Sequence, residues 1–100
     1  MLDVIFSERA ELDLNEIADW YKNIRAGLEQ EFLICIEAEV ELIRKKPLIY
    51  KEFYKNVRKA IINKFPYGIY YLIEEERILL ISISHHKRGQ KTIRKKLKKK

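Results

Sequence analysis

Glycine and proline are scarce in this 100-residue chain, at three and two. That scarcity excludes a Pro/Gly-rich low-complexity chain, and the 47% apolar share describes a compact globule. One cysteine cannot close an internal disulfide. Cys35 sits in Leu33-Ile34-Cys35-Ile36-Glu37, where no cation stands ready to hold a thiolate. It reads as a small core side chain in a reducing cytoplasm. Long apolar runs are missing too, so no segment is expected to cross a bilayer. Charged residues follow Met1–Phe6 at once, and no signal peptide is expected. No GxxxxGK[ST], GxSxG or GxGxxG is present, and no Cys/His group has zinc-like spacing. Neither a metal nor a cofactor is expected.

Acid is absent from one end. Residues 87–100 hold 9 Lys/Arg and no Asp or Glu, whereas the preceding 86 residues hold 12 basic and 15 acidic side chains. The whole positive excess behind the net charge of +6 therefore lies in the C-terminal segment. Such a segment can attract the phosphates of RNA or DNA in a salt-dependent way, or can simply be a solvated end.

The length allows one domain, assigned to residues 1–88, with residues 89–100 as a basic C-terminal segment. Leu2 to Phe6 reads as a short strand. Ser7 can cap a helix whose start carries Glu8 and Glu11. Ala10, Leu14, Ile17, Ala18 and Tyr21 repeat at helical spacing, and Leu12, Trp20 and Ile24 widen that face. Gly27 breaks the helix. A second helix places Leu28, Phe32, Cys35, Ile36, Val40 and Ile43 on one side and ends in Arg44-Lys45-Lys46 before Pro47. So short a break predicts an antiparallel helical hairpin. Residues 47–56 read as a connection carrying Tyr50, Phe53 and Tyr54. Three strands follow near 57–65, 67–74 and 77–84, the last two joined through Glu74-Glu75-Glu76. Alternation puts Ile61, Ile69, Tyr71, Ile73, Leu79, Ile81 and Ile83 under the helices. Arg58, Tyr70, Ser82, Ser84 and His86 then face the other way. The expected fold is α+β: an N-terminal strand, an antiparallel helical hairpin, then a three-stranded antiparallel meander.

Arginine, tyrosine and histidine gather in residues 57–88. Cutting RNA through its own 2′-hydroxyl needs a base, an acid and a cation for the charge growing on phosphorus. His85 or His86 can act as acid or base near neutral pH. Arg58 and Arg88 can hold a phosphate bidentately, and Lys59 or Lys64 can add charge. Tyr67 or Tyr70 can stack on an unpaired base. That inventory suffices for a metal-independent endoribonuclease. Each residue has a plainer role beside it. Arg58 can pair with Glu74 or Glu76, one of the tyrosines belongs to the core, and adjacent histidines on a strand point to opposite faces.

The order R-x6-FPY-x-x-Y-Y followed by H-x-x-R resembles the RelE/ParE family of toxins from type II toxin–antitoxin pairs. Arg58, Phe65-Pro66-Tyr67, Tyr70, His85 and Arg88 carry the resemblance, which is closest to the ParE-like branch. Gln90 and Ile93 stand where that branch usually has proline and often has tryptophan. The resemblance implies a cytoplasmic growth inhibitor neutralised by a cognate antitoxin, with Tyr50, Phe53 and Tyr54, together with apolar positions on the helical hairpin, as anchors for it. It implies DNA gyrase as a target poisoned without hydrolysis, or else the ribosome and its mRNA as the substrate of an RNA-cutting enzyme. Under either reading Lys59, Lys64, Tyr70, Lys87, Lys91 and Arg94 are the candidate nucleic-acid contacts. A third reading is a plain nucleic-acid-binding module working through its basic tail. No membrane partner is implied.

Overall fold

The computed structural model describes residues 2–86. Strand β1 (Asp3–Phe6) leads into helix α1 (Glu8–Ile24) and helix α2 (Leu28–Lys45). Four strands follow: β2 (Glu52–Tyr54), β3 (Val57–Ile61), β4 (Tyr67–Glu74) and β5 (Arg77–His85). They form one mixed sheet in the order β1-β5-β4-β3-β2, with β1 parallel to β5 and every other pair antiparallel.

Local chemistry sets the helix ends. The Ser7 hydroxyl accepts the Ala10 N–H at 3.0 Å and donates to the Ile81 carbonyl at 3.1 Å. One side chain thus caps α1 and ties its start to β5. Gly27 takes a φ of +92° between the helices, where a Cβ would be strained. Its N–H donates to the Glu29 carboxylate at 2.9 Å. Pro47 follows the end of α2 as anticipated. Helices joined by three residues and packed on one another form the expected hairpin.

The hairpin covers one sheet face. Its core joins Ala10, Tyr21, Phe32, Ile36 and Ile43 to Ala60, Ile62, Ile69, Tyr71, Ile78, Leu80 and Ile83. A smaller cluster on the other face joins Val57 and Tyr70 to Phe53, Leu72 and Ile81. Cys35 is only half-buried and lies outside the core cluster.

Three expectations about the sheet are corrected. First, residues 52–54 form an edge strand, so the meander has four strands. Lys55 and Asn56 both have positive φ, at 43° and 68°, which is the backbone of a tight two-residue hairpin turn. Second, β5 does not keep one parity. Tyr70 pairs with Ser82 while Tyr71 pairs with Leu80, leaving Ile81 as a bulge. Ile78 and Leu80 before the bulge and Ile83 after it therefore all reach the helices, whereas Leu79 and Ile81 do not. Third, β3 is one residue out of the expected phase. Ala60 and Ile62 are buried and Ile61 is exposed. Residues opposite in the ladder share a face, so Arg58, paired with Tyr71, lies on the helix side with Ala60 and Ile69.

Where β1 stops opposite Leu80, α1 takes over the edge of β5. The Asp13 carboxylate accepts the Ile83 N–H at 3.0 Å, the Ser82 hydroxyl at 2.9 Å and the Arg9 Nε–H at 2.9 Å. A side chain thereby satisfies a backbone donor that a neighbouring strand would otherwise have to meet.

Candidate functional site

The candidate residues divide between two ends of the sheet. At one end β4 and β5 bring Tyr67, His85 and His86 together, and Lys59, on the helix-free face of β3, reaches toward them with its ammonium. His85 lies opposite Tyr67 in the ladder, and their rings meet edge to face at 6.0 Å. Beyond β5 the chain turns, and the His86 N–H donates to the Pro66 carbonyl at 3.0 Å. That turn brings the two imidazoles parallel, 5.4 Å apart at 9°. The expectation that they point to opposite faces is therefore corrected: His86 is outside the strand, and strand alternation does not govern it. The Lys59 ammonium donates to the His86 carbonyl at 3.3 Å. Lys64 is exposed on the β3–β4 connection with a φ of +69°.

The Phe-Pro-Tyr sequence is architectural in this fold. Phe65 packs on Tyr21 and Phe32 with ring centroids at 4.9 and 5.4 Å. Tyr67 meets the same two rings at 6.2 and 5.9 Å. Such edge-to-face packing joins both helices to the histidine end of the sheet.

Arg58 belongs to the other end. Its guanidinium donates to the Tyr50 carbonyl and lies 3.5 Å from the Glu52 carboxylate. Its ionic partner is thus Glu52 on β2, not Glu74 or Glu76 on the β4–β5 hairpin. The Tyr71 hydroxyl donates to the Pro47 carbonyl at 2.9 Å, and the Tyr50 hydroxyl donates to Glu39 at 2.6 Å. These bonds strap the segment after α2 to the sheet. Tyr71, opposite Arg58, and Tyr67, opposite His85, are four residues apart on β4. Arg58 is accordingly removed from His85 by roughly 13 Å along the strands and about 10 Å across them. The arginine and the histidines do not converge on one phosphate.

Tyr70 is fully buried in the smaller cluster, its ring against Phe53 at 5.2 Å, and its hydroxyl has no hydrogen-bond partner among the described residues. A base cannot stack on that ring without opening the cluster. Burial pushes the Tyr70 phenol up to about 12. Tyr71 is also raised to about 12 by burial, against the opposing effect of Arg58. Tyr21 reaches about 12 through burial and then its proximity to Tyr67. Burial, and next the bond to Glu39, raise Tyr50 further still. None of these four phenols supplies a base at neutral pH.

Of the expected antitoxin anchors, Tyr50 is half-buried in the strap, Phe53 belongs to the smaller cluster, and Tyr54 carries the Lys55 ammonium over its ring at 5.5 Å. Lys87, Arg88, Lys91 and Arg94 lie outside the described residues. Among the described residues no group of three His, Cys, Asp or Glu side chains is placed to hold a metal ion. No helix among them is long and apolar enough to cross a membrane.

Sequence reasoning missed two features. Asp13 serves β5, yet in the sequence it is one more acid on a helix. Leu12, Trp20 and Ile24, assigned to the covered face, are exposed.

The architecture is similar to that of a chain from the chromosomal ParDE TA system of P. aeruginosa, with a TM-score of 0.65 and 16% identity. That match covers 85% of this chain and 96% of the other. A conserved hypothetical protein from Helicobacter pylori is matched at a TM-score of 0.48 and 19% identity, over 86% of this chain and 96% of that one. No curated protein sequence matches. Residues 4–89 match the family described as the ParE toxin of type II toxin-antitoxin system, parDE. The chain thus belongs to the ParE toxin family of type II toxin–antitoxin systems.

Proposed function

We propose that this protein is a growth inhibitor that works by binding, with DNA gyrase as its target, and that a cognate antitoxin neutralises it. Family membership supplies the toxin–antitoxin setting. The observation that carries the choice of mechanism is the separation of Arg58 from the histidines. RNA cleavage needs a proton-transfer group and a phosphate clamp on the same few atoms. Here Arg58 is engaged by Tyr50 and Glu52 on the helix side. His85 and His86 stack on each other several ladder positions away. Among the described residues this separation supports binding over hydrolysis, with Arg88, the other candidate clamp, lying outside them.

The test is pulse labelling of DNA and protein synthesis in one bacterial culture after induced expression. Loss of DNA synthesis first, with double-strand breaks, is the expected result. An immediate collapse of protein synthesis with intact DNA would overturn the gyrase reading. It would make the Lys59–His85–His86 end of the sheet the site of a ribosome-dependent ribonuclease.

A further inference from the structure

The turn after α2 carries the most exposed large apolar side chain among the described residues, Leu48 at 70%, with Ile49 beside it at 49%. Pro47 and Leu48 are the central pair of that turn, which the Ile49 N–H closes by donating to the Lys46 carbonyl at 3.1 Å. It is held from several sides. The Lys46 N–H donates to the Leu42 carbonyl at 2.8 Å, and the Tyr71 hydroxyl donates to the Pro47 carbonyl at 2.9 Å. Arg58 donates to the Tyr50 carbonyl, and the Tyr50 hydroxyl donates to Glu39 at 2.6 Å. A lone exposed leucine needs no explanation. Two apolar neighbours at the tip of a turn fixed at both ends are a rigid projection, and rigidity reduces the entropy lost on docking.

Charge selects the occupant. Residues 44–51 hold four bases and no acid. Lys45, Lys46 and Lys51 are exposed and form no ion pair among the described residues. The acids nearest in sequence are engaged: Glu39 by Tyr50, Glu41 by Arg44 at 3.9 Å and Glu52 by Arg58 at 3.5 Å. A second copy docked tip to tip sets the lysines against themselves. A lipid surface gains less hydrocarbon from two such side chains than from one myristoyl chain, which itself holds only marginally. Duplex DNA fits both halves of the arrangement. Leucine and isoleucine wedges enter between base steps from the minor groove, and cations beside them neutralise the flanking phosphates. We propose that Leu48 and Ile49 form a wedge that unstacks a base step of duplex DNA, while Lys45, Lys46 and Lys51 bind the phosphates on either side. This wedge deepens the gyrase reading above, on which it rests, by giving the toxin a direct hold on the DNA that gyrase handles.

The test uses the full chain and a short DNA duplex carrying 2-aminopurine beside a flexible TA step, where the fluorescent base brightens when it unstacks. The lysines of residues 87–100 can hold phosphates but leave bases stacked, so the brightening belongs to the wedge. Expected for the wild type is a rise that saturates with protein. Leu48→Ala combined with Ile49→Ala should abolish the rise and weaken binding about tenfold or more. Lys46→Gln combined with Lys51→Gln should flatten log K against log salt by about two. Ile34→Ala removes a comparably exposed side chain, at 64%, from α2 and should change neither. All these positions are exposed, and circular dichroism checks that each variant folds. Binding without brightening, equal in the wild type and the double alanine variant, would overturn the wedge. Loss of DNA synthesis in the induced culture would then leave the gyrase reading intact. Binding to phosphatidylserine vesicles that needs Leu48 and Ile49, with duplex binding indifferent to them, would make a lipid surface the occupant and overturn it too. Brightening by the wild type together with an immediate collapse of protein synthesis would remove the gyrase reading, and with it the role given to the wedge.

Discussion

Asp13 shows how much one side chain can hold. Its carboxylate is 14% exposed and accepts from two points of β5 as well as from Arg9. Asp13→Ala leaves the Ile83 N–H unpaired near the sheet edge, and a loss of about 2–3 kcal/mol is expected in denaturant unfolding. Asp13→Asn keeps an acceptor there and should lose less than half of that. Tyr70 makes the opposite case. Its buried hydroxyl meets no hydrogen-bond partner among the described residues, so Tyr70→Phe removes a desolvated polar atom and should leave stability unchanged or raise it by up to about 1 kcal/mol. A fall of more than about 1 kcal/mol would show that the hydroxyl is bonded after all. Tyr21, Tyr70 and Tyr71 together set an alkaline limit. Below the ordinary phenol value of 10.0 they are neutral in both folded and unfolded chains, and their contribution is intact. As pH rises from 10.0 toward about 12, only the unfolded chain ionises, so stability falls through that window. Absorbance of phenolate against pH should show a cooperative rise coincident with loss of far-ultraviolet ellipticity. Separate, gradual titration of a chain that remains folded at pH 12 would contradict it.

Among the elements, the β2–β3 hairpin rests on a turn with two left-handed residues, neither of them glycine. Asn tolerates that region better than Lys, and glycine better than either. Asn56→Gly should therefore be neutral or stabilising, by up to about 1 kcal/mol, as judged by the unfolding midpoint. A clear loss would mean that the Asn56 side chain contributes more than its backbone suggests. The same hairpin marks where sequence reading fell short. The helices were legible because Ser7, Gly27 and Pro47 punctuate them and the apolar spacing is long enough to repeat. Strand β2 has three residues, too few for a period, and Lys-Asn is a weak turn signal beside Asn-Gly. The parity of β5 was lost for another reason. One bulge at Ile81 reverses every later position, and no residue type announces it. Arg58 came out on the wrong face because β3 was phased from Ile61, which is exposed, and not from the smaller Ala60, which is buried. The tyrosines and the Phe-Pro-Tyr sequence were legible as a signature but not as packing. Telling a ring that stacks on a ligand from one that stacks on Phe32 requires knowing which elements meet.

At the scale of the whole molecule, charge is divided along the chain. Residues 87–100 supply 9 Lys/Arg without acid, whereas the first 86 residues carry 12 basic and 15 acidic side chains. An excess of cation so confined gives any polynucleotide a contact that needs no particular surface on the sheet. The strength of that contact should follow salt through the number of phosphates neutralised. Seven of the nine bases lie in residues 91–100. Truncation after Gln90 is therefore expected to weaken nonspecific binding to DNA and RNA sharply, and to flatten log K against log salt by as much as about six. Growth inhibition should nevertheless persist, because a toxin that acts through the surfaces of residues 2–86 retains them all. Filter binding across a salt series and colony counts after induction, made on the same truncated protein, check the two halves separately. If toxicity vanished in step with the salt-sensitive binding, the basic segment would itself be the effector and the folded domain its carrier. If toxicity survives, the lysines serve only to raise the local concentration of the toxin near nucleic acid. The choice of target must then be sought on the domain, where the histidine end of the sheet and the Arg58 end can be altered one at a time.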